Sequence, residues 1–280
     1  MARTLTDLYT SRCVKTEKGY TPHFWKPMEL KRKPLCLFGD ETKTFTPETE
    51  QDVLGIMLRL IALGLDLEIP VGQFVLEQTR GEYPNAPYVK ELLKSAVADE
   101  ARHEQGFKFA ATAYGLPDQE SIDKSTALKD TWVALSNKYQ PLAVAAALEQ
   151  EVFLVTLGLM RILGGSSLND LAIQIAKDES RHVATNRAIS KWLGVTFGKD
   201  VEEAVDATLD YALNGFSLKV SPSLTVNTDF CIKSSRELRE TGTAKKLDQF
   251  TRIASHRMPF ELSNKALYTS RQTEGGTTVY

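Results

Sequence analysis

DEARH at residues 99–103 and DESRH at 178–182 carry one pattern, Asp-Glu-x-Arg-His, twice, in a chain with only four histidines. Within each copy the glutamate and histidine are three positions apart, so on a helix they are neighbours on one face: Glu100 with His103, and Glu179 with His182. A solvated stripe is the ordinary outcome for charged pairs at that spacing. The residues that share each face speak against it. Val89, Leu93, Ala96, Phe107 and Ala111 surround the first copy, and Leu171, Ala172, Ile175 and Ile189 the second. Each pair therefore points into a core. A buried carboxylate is costly unless paired or bound to a metal, and carboxylate plus neutral imidazole is a natural ligand set for iron, manganese or zinc.

Working outward, apolar residues recur at helical spacing through most of the chain. A helix starts at Thr46-Pro47-Glu48, a cap followed by proline in the first turn, and continues to about Thr79 with a kink expected at Pro70. RGEYPNAP (80–87) is a loop, and a second long helix covers 88–114. After the break GLPDQES come a shorter helix around 123–138, a long apolar helix over 141–163 and, past GGSSLND, another over 167–193. Further helices fit 199–218 and 226–264. No strand is expected, since no useful period-2 run occurs. The expected fold is all-α: four long helices forming a ferritin-like bundle with pseudo-symmetric halves, plus additional helices. Residues 1–46 read as an irregular arm, 47–265 as the helical domain and 266–280 as a flexible tail.

A dimetal bundle of this kind takes one glutamate from each of two helices and Glu-x-x-His from each of the other two. Two more glutamates are therefore needed. In the helix before Glu100 the candidates are Glu68 and Glu77. Arg59, Asp66, Gln73 and Arg80, each seven apart, mark a wet stripe that includes Glu77; Glu68 lies on the opposite side with Met57, Ile61 and Val75. Glu68 is the choice, and Glu77 stays the alternative because a kink at Pro70 would turn the wheel beyond it. In the helix before Glu179, Glu149 shares its face with Leu142, Ala145, Val152, Phe153 and Met160, whereas Glu151 faces the Gly158 side. Nearly the same spacing separates Glu68 from Glu100 as Glu149 from Glu179. Asp99 and Asp178, beside the motif glutamates, are suited to accept the second ring N–H of a metal-bound histidine. Arg102 and Arg181 read as partners of carboxylates.

Composition sets the outer limits. The net charge of −2 over 280 residues gives no footprint for a polyanion, so neither nucleic acid nor an anionic membrane is an expected partner. Cys13, Cys36 and Cys231 have no paired spacing, as in reduced cytosolic proteins. MARTLTDLYTSR lacks the apolar core of a signal peptide, and the apolar run 53–65 is too short to span a bilayer and is broken by Arg59. A cytoplasmic protein is expected.

Three further stretches, in order along the chain, carry a resemblance: FWKPMEL (24–30), ALEQEVF (147–153) and IAKDESRH (175–182). With DEARH, they resemble the small, radical-generating subunit of class I ribonucleotide reductase over about residues 24–190. The tryptophan segment is the discriminating piece. The resemblance implies that Glu68, Glu100, His103, Glu149, Glu179 and His182 bind two metals. It also implies that Trp25 and Asp178 form a hydrogen-bonded pair that passes an electron from the partner, and that O₂ is activated at the metals. The partner implied is the large catalytic subunit, with the small subunit a homodimer. A tail tyrosine would complete the relay, with Tyr268 and Tyr280 as candidates. Where tyrosyl-radical members have tyrosine, four residues after the first motif histidine, this chain has Phe107, and its first ligand would be Glu68 where aspartate is usual. Both departures resemble the manganese–iron subclass, which keeps its oxidising equivalent on the metals; two irons or two manganese ions are the other pairings. Other functions for the same framework are an oxidase or N-oxygenase acting on its own small substrate, with His23 and His256 as spare histidines, and ferritin-like metal storage.

Overall fold

The computed structural model describes residue 9 and residues 23–26, 30–83, 88–193 and 198–256. Among the described residues, eight helices, a short 3-10 turn (Leu37–Gly39) and one short hairpin account for most of the structure. Helix α1 (Pro47–Gln78) opens where the sequence places it: the Thr46 hydroxyl accepts from the Thr49 amide, Pro47 occupies the first turn, and Glu48 and Glu50 sit at the positive end of the dipole. It runs through Pro70 as one element. Helix α2 (Val89–Tyr114) follows, and α3 (Gln119–Lys138) begins earlier than its apolar spacing suggests because Asp118 caps it, accepting from the Ser121 amide at 2.8 Å.

Helix α4 (Pro141–Leu163) is the most apolar, and its middle, Leu148–Phe153, is wound as a π-helix. The extra residue in that turn is invisible to a 3.6-residue periodicity. By length and composition α4 alone among the described helices could cross a membrane, but 89% of its apolar window is buried inside the protein. Helix α5 (Gly165–Leu193) completes the core. α1 packs on α2, α2 on α5, α5 on α4, and α4 back on α1, so the four long helices close a ring. The faces they turn inward are apolar: Leu67, Val71, Leu93, Leu142, Leu148, Leu171 and Ile175 are essentially inaccessible.

Outside the ring lie α3, α6 (Lys199–Leu213), α7 (Thr228–Thr241) and α8 (Lys245–His256). Between α6 and α7 the structure corrects the expectation of a strand-free chain. Helix α6 stops at Leu213 because Asn214 and Gly215 take left-handed conformations, and an antiparallel hairpin follows, β1 (Leu218–Ser221) and β2 (Leu224–Val226), with Leu218 opposite Val226. Leu218, Leu224 and Val226 are buried while the turn between the strands holds Pro222, which cannot continue a helix. Strands this short leave too few alternating positions to register as a pattern.

Candidate metal centre

Each of the four ring helices delivers carboxylates to one point near mid-bundle. Glu68 comes from α1, Glu100 and His103 from α2, Glu149 from the π-wound turn of α4, and Glu179 and His182 from α5. Their exposures run from 0% to 3%. They form two groups, Glu68–Glu100–His103–Glu179 and Glu100–Glu149–Glu179–His182, each offering ligand atoms within 4.8 Å of one another. Glu100 and Glu179 belong to both. Glu77, the alternative to Glu68, is exposed on the outer side of α1 and enters neither group. Glu151 is buried but faces away, with its Oε2 3.3 Å from Arg239 Nε on α7.

The histidines show how the pentapeptide is used. His103 Nδ1 points inward, 3.1 Å from Glu179, 3.4 Å from Glu68 and 3.6 Å from Glu100. His182 Nδ1 does the same, 2.8 Å from Glu100 and 3.5 Å from Glu179. The outward nitrogens are held by the aspartates in a crossed pattern: His103 Nε2 lies 3.3 Å from Asp178, and His182 Nε2 lies 3.0 Å from Asp99. Each aspartate thus orients the histidine of the opposite helix. An ionised carboxylate only accepts, so Nε2 donates and leaves Nδ1 as the inward ligand atom. The arginines secure the aspartates. Arg102 pairs with Asp99 and reaches Asp178 at 3.6 Å, and Arg181 holds Asp178 at 2.9 Å. Four of the five motif positions therefore have a defined contact, which explains why the pattern occurs as a unit.

Apart from the Glu149 oxygens, the interior ligand atoms of this cluster face only one another. Both oxygens of Glu68, Glu100 and Glu179, together with Nδ1 of both histidines, are buried without hydrogen bonds. So many orphaned acceptors facing one another would be prohibitive unless protonated or bound to cations. Burial drives the Glu68 and Glu149 carboxyls well above the usual range, Glu179 adding to the effect at Glu149. For His182 burial favours the neutral ring, but Glu100 and Glu179 outweigh it and push its pKa up to about 10. Glu100 moves the other way: burial alone would raise it, yet the two imidazoles hold it below the usual carboxylate range. The metal-free cluster consequently holds protons that cations would displace. Four carboxylates and two imidazoles match the charge and the N/O preference of two divalent transition ions, so the residues fit the dimetal reading.

Asn186 escapes the sequence reading. One turn beyond His182 and fully buried, it donates from Nδ2 to both Glu149 oxygens, at 3.1 and 3.3 Å. Its i+4 spacing from His182 is the only signal the sequence offered. Phe107 is buried with its ring against the α1 backbone at Gly64, where a Cβ would fall 2.5 Å from the ring carbons. Trp25 packs over α2 at Gly106, whose missing side chain leaves room for the indole. The Trp25–Asp178 hydrogen bond implied by the resemblance is not formed. Trp25 Nε1 is buried without a partner, and Asp178 faces His103 and two guanidinium groups. Charge-assisted donors outcompete a neutral indole for that carboxylate. Cys13, Tyr268 and Tyr280 lie outside the described residues, as does the Pro27-Met28-Glu29 part of the FWKPMEL segment.

No protein-family profile, curated protein or solved structure matches this chain.

Proposed function

We propose that this chain is a dimetal-carboxylate protein that serves as the radical-generating small subunit of a ribonucleotide reductase. The observation that carries the reading is the pair of buried ligand groups joined through Glu100 and Glu179. Glu68 and His103 would complete one metal position, Glu149 and His182 the other. Manganese with iron is the pairing the resemblance favours, and the mixed N/O ligands suit both. The chemistry supplied by the bound ions is O₂ reduction and retention of one oxidising equivalent for a larger catalytic subunit.

The chain's own residues have separate tasks in this reading. Asp99 and Asp178 keep the imidazoles in one tautomer and orientation, and the apolar walls exclude water. Phe107 has no phenolic proton to lose, so the buried ring next to Glu68 cannot hold a stable phenoxyl radical. Trp25, set over α2 one turn beyond His103, is the residue that the resemblance assigns to electron transfer toward the partner. A small cavity of about 10 Å³ borders Glu68 and Phe107. At that volume it holds at most a single water and no organic substrate, which favours this reading over an oxidase acting in a pocket beside Glu68.

The test is aerobic loading with iron alone and with manganese plus iron, followed by metal analysis, electron paramagnetic resonance and turnover with a large subunit. Two ions per chain, a metal-centred signal without a tyrosyl doublet, and nucleotide reduction only with the partner are expected. A strong tyrosyl signal, or turnover without any partner, would overturn the proposal.

A further inference from the structure

Three consecutive polar side chains, Glu149, Gln150 and Glu151, interrupt the apolar helix α4, and all three are buried. Of the three, Glu149 alone enters the ligand groups. Buried polar groups need partners, and the other two find theirs on a single turn of an outer helix, the C-terminal turn of α7. Gln150 Nε2 donates to the Leu238 carbonyl, and Glu151 Oε2 lies 3.3 Å from Arg239 Nε. The same turn reaches α5. Arg187 Nη2 donates to the Arg239 carbonyl at 3.3 Å, and Arg187 is the chain neighbour of Asn186, which holds Glu149. Arg239 is braced in turn by Glu202 of α6. Glu68 differs: its neighbours along α1 are Leu67 and Ile69, whose side chains carry no polar atom to tie, and Ile69 is 45% exposed.

A π-helical turn is rare because its wider winding packs less well than an α-turn, so contacts from outside the helix must hold it. Gln150 and Glu151 reach toward α7 while Glu149 reaches toward the centre of the ring. Anchoring two consecutive residues on the outer side fixes the rotation of the turn about the α4 axis, and with it the direction of Glu149. From this, and resting on the dimetal reading above, we infer that the last turn of α7 is a clamp that sets one metal position, Glu149–His182, with Gln150, Glu151 and Arg239 as its positioning residues. It steadies Glu149 from the α4 side and Asn186 from the α5 side, so an ion arriving there meets a ligand already aimed. The Glu68–His103 position is set without it.

Manganese(II) binding to the full chain, followed by isothermal titration, tests the clamp one position at a time. In Glu68→Ala, which leaves the Glu149–His182 position, adding Gln150→Leu and Arg239→Met should weaken the ion at least about tenfold, as is typical for groups that orient ligands. In Glu149→Ala, which leaves the Glu68–His103 position, the same two changes should leave the affinity where it was. Arg236→Ala, which breaks an exposed pair with Asp206 on the same helix, should alter neither position and so separates the clamp from general damage to α7. Unchanged affinity in the Glu68→Ala protein, or equal weakening at both positions, would overturn the inference. Crystals of the metal-free full chain carrying only Gln150→Leu and Arg239→Met decide without any ion: both Asn186–Glu149 hydrogen bonds should be lost, and their retention would overturn the clamp. Failure of Glu68→Ala and Glu149→Ala to bind manganese with the clamp intact would count against the dimetal reading alone.

Discussion

The half of the bundle built on DEARH and the half built on DESRH share their ligand types and helix pairing, yet they differ in what stands behind the ligands. Glu68 comes from a regular α-helical turn, has no hydrogen-bond donor and borders a cavity. Glu149 comes from a π-helical turn and is held by Asn186. The repeated pentapeptide supplies what must be common to two metal positions: a shared glutamate, a histidine, and an aspartate for the other helix's histidine. Residues outside the repeat make the positions unequal. Duplication supplies a frame, and function is differentiated in its surroundings.

The largest expected effect separates shared from private ligands. Glu100→Ala removes a carboxylate from both groups and should abolish binding of both ions, whereas Glu68→Ala should leave one ion at the Glu149 position. Metal analysis after equilibrium dialysis measures this directly. Thermal unfolding gives a second readout: metal at a thousandfold excess over Kd should stabilise the unmodified protein by on the order of 4 kcal/mol for each ion bound, and Glu100→Ala not at all. Retention of one tightly bound ion by Glu100→Ala would show that the halves are independent.

A smaller effect tests the crossing. If each aspartate serves the histidine opposite, Asp178→Asn should weaken the Glu68–His103 position, even though Asp178 adjoins Glu179 in the other motif. Asp99→Asn should weaken the Glu149–His182 position. Losses of about 10- to 100-fold in affinity are typical for such supporting carboxylates. Isothermal titration distinguishes the two events when Glu68→Ala and Glu149→Ala serve as single-site references. If each aspartate variant damaged the position of its own helix's histidine, the crossed geometry would have no energetic meaning.

The ring of four helices and its ligand faces could be read from sequence because both rest on periodicity. Carboxylates that interrupt apolar stripes, as Glu68 and Glu149 do, stand out against a helical wheel. The unreadable parts depend on geometry without period. The π-helical turn adds a residue that no 3.6-residue template registers, and the hairpin over 218–226 is too short to alternate visibly. Asn186 is one polar residue among many until α5 is set against α4, and the exchange of aspartates between helices is a fact of packing rather than of spacing. The Trp25–Asp178 pairing failed for a related reason. Resemblance transferred the two residues but not the competition from Arg102 and Arg181, which the doubled motif brings to the same carboxylate.

The smallest expected effect concerns the carboxylates that each half leaves out. Glu77 and Glu151 sit on the same helices as Glu68 and Glu149, but Glu77 is exposed whereas Glu151 is buried against Arg239. Glu77→Ala should therefore change stability by no more than about 0.5 kcal/mol and leave two ions bound, since an exposed carboxylate on a solvated stripe gives up only water. Glu151→Ala should cost more, on the order of 1–3 kcal/mol, because it strips the partly buried Arg239 of one partner while Glu202 retains the other. Denaturant unfolding of the two metal-free variants measures the contrast. Equal stability losses would mean that the outer side of α4 is as loosely built as that of α1, and the inequality of the two halves would then be confined to the ligands themselves.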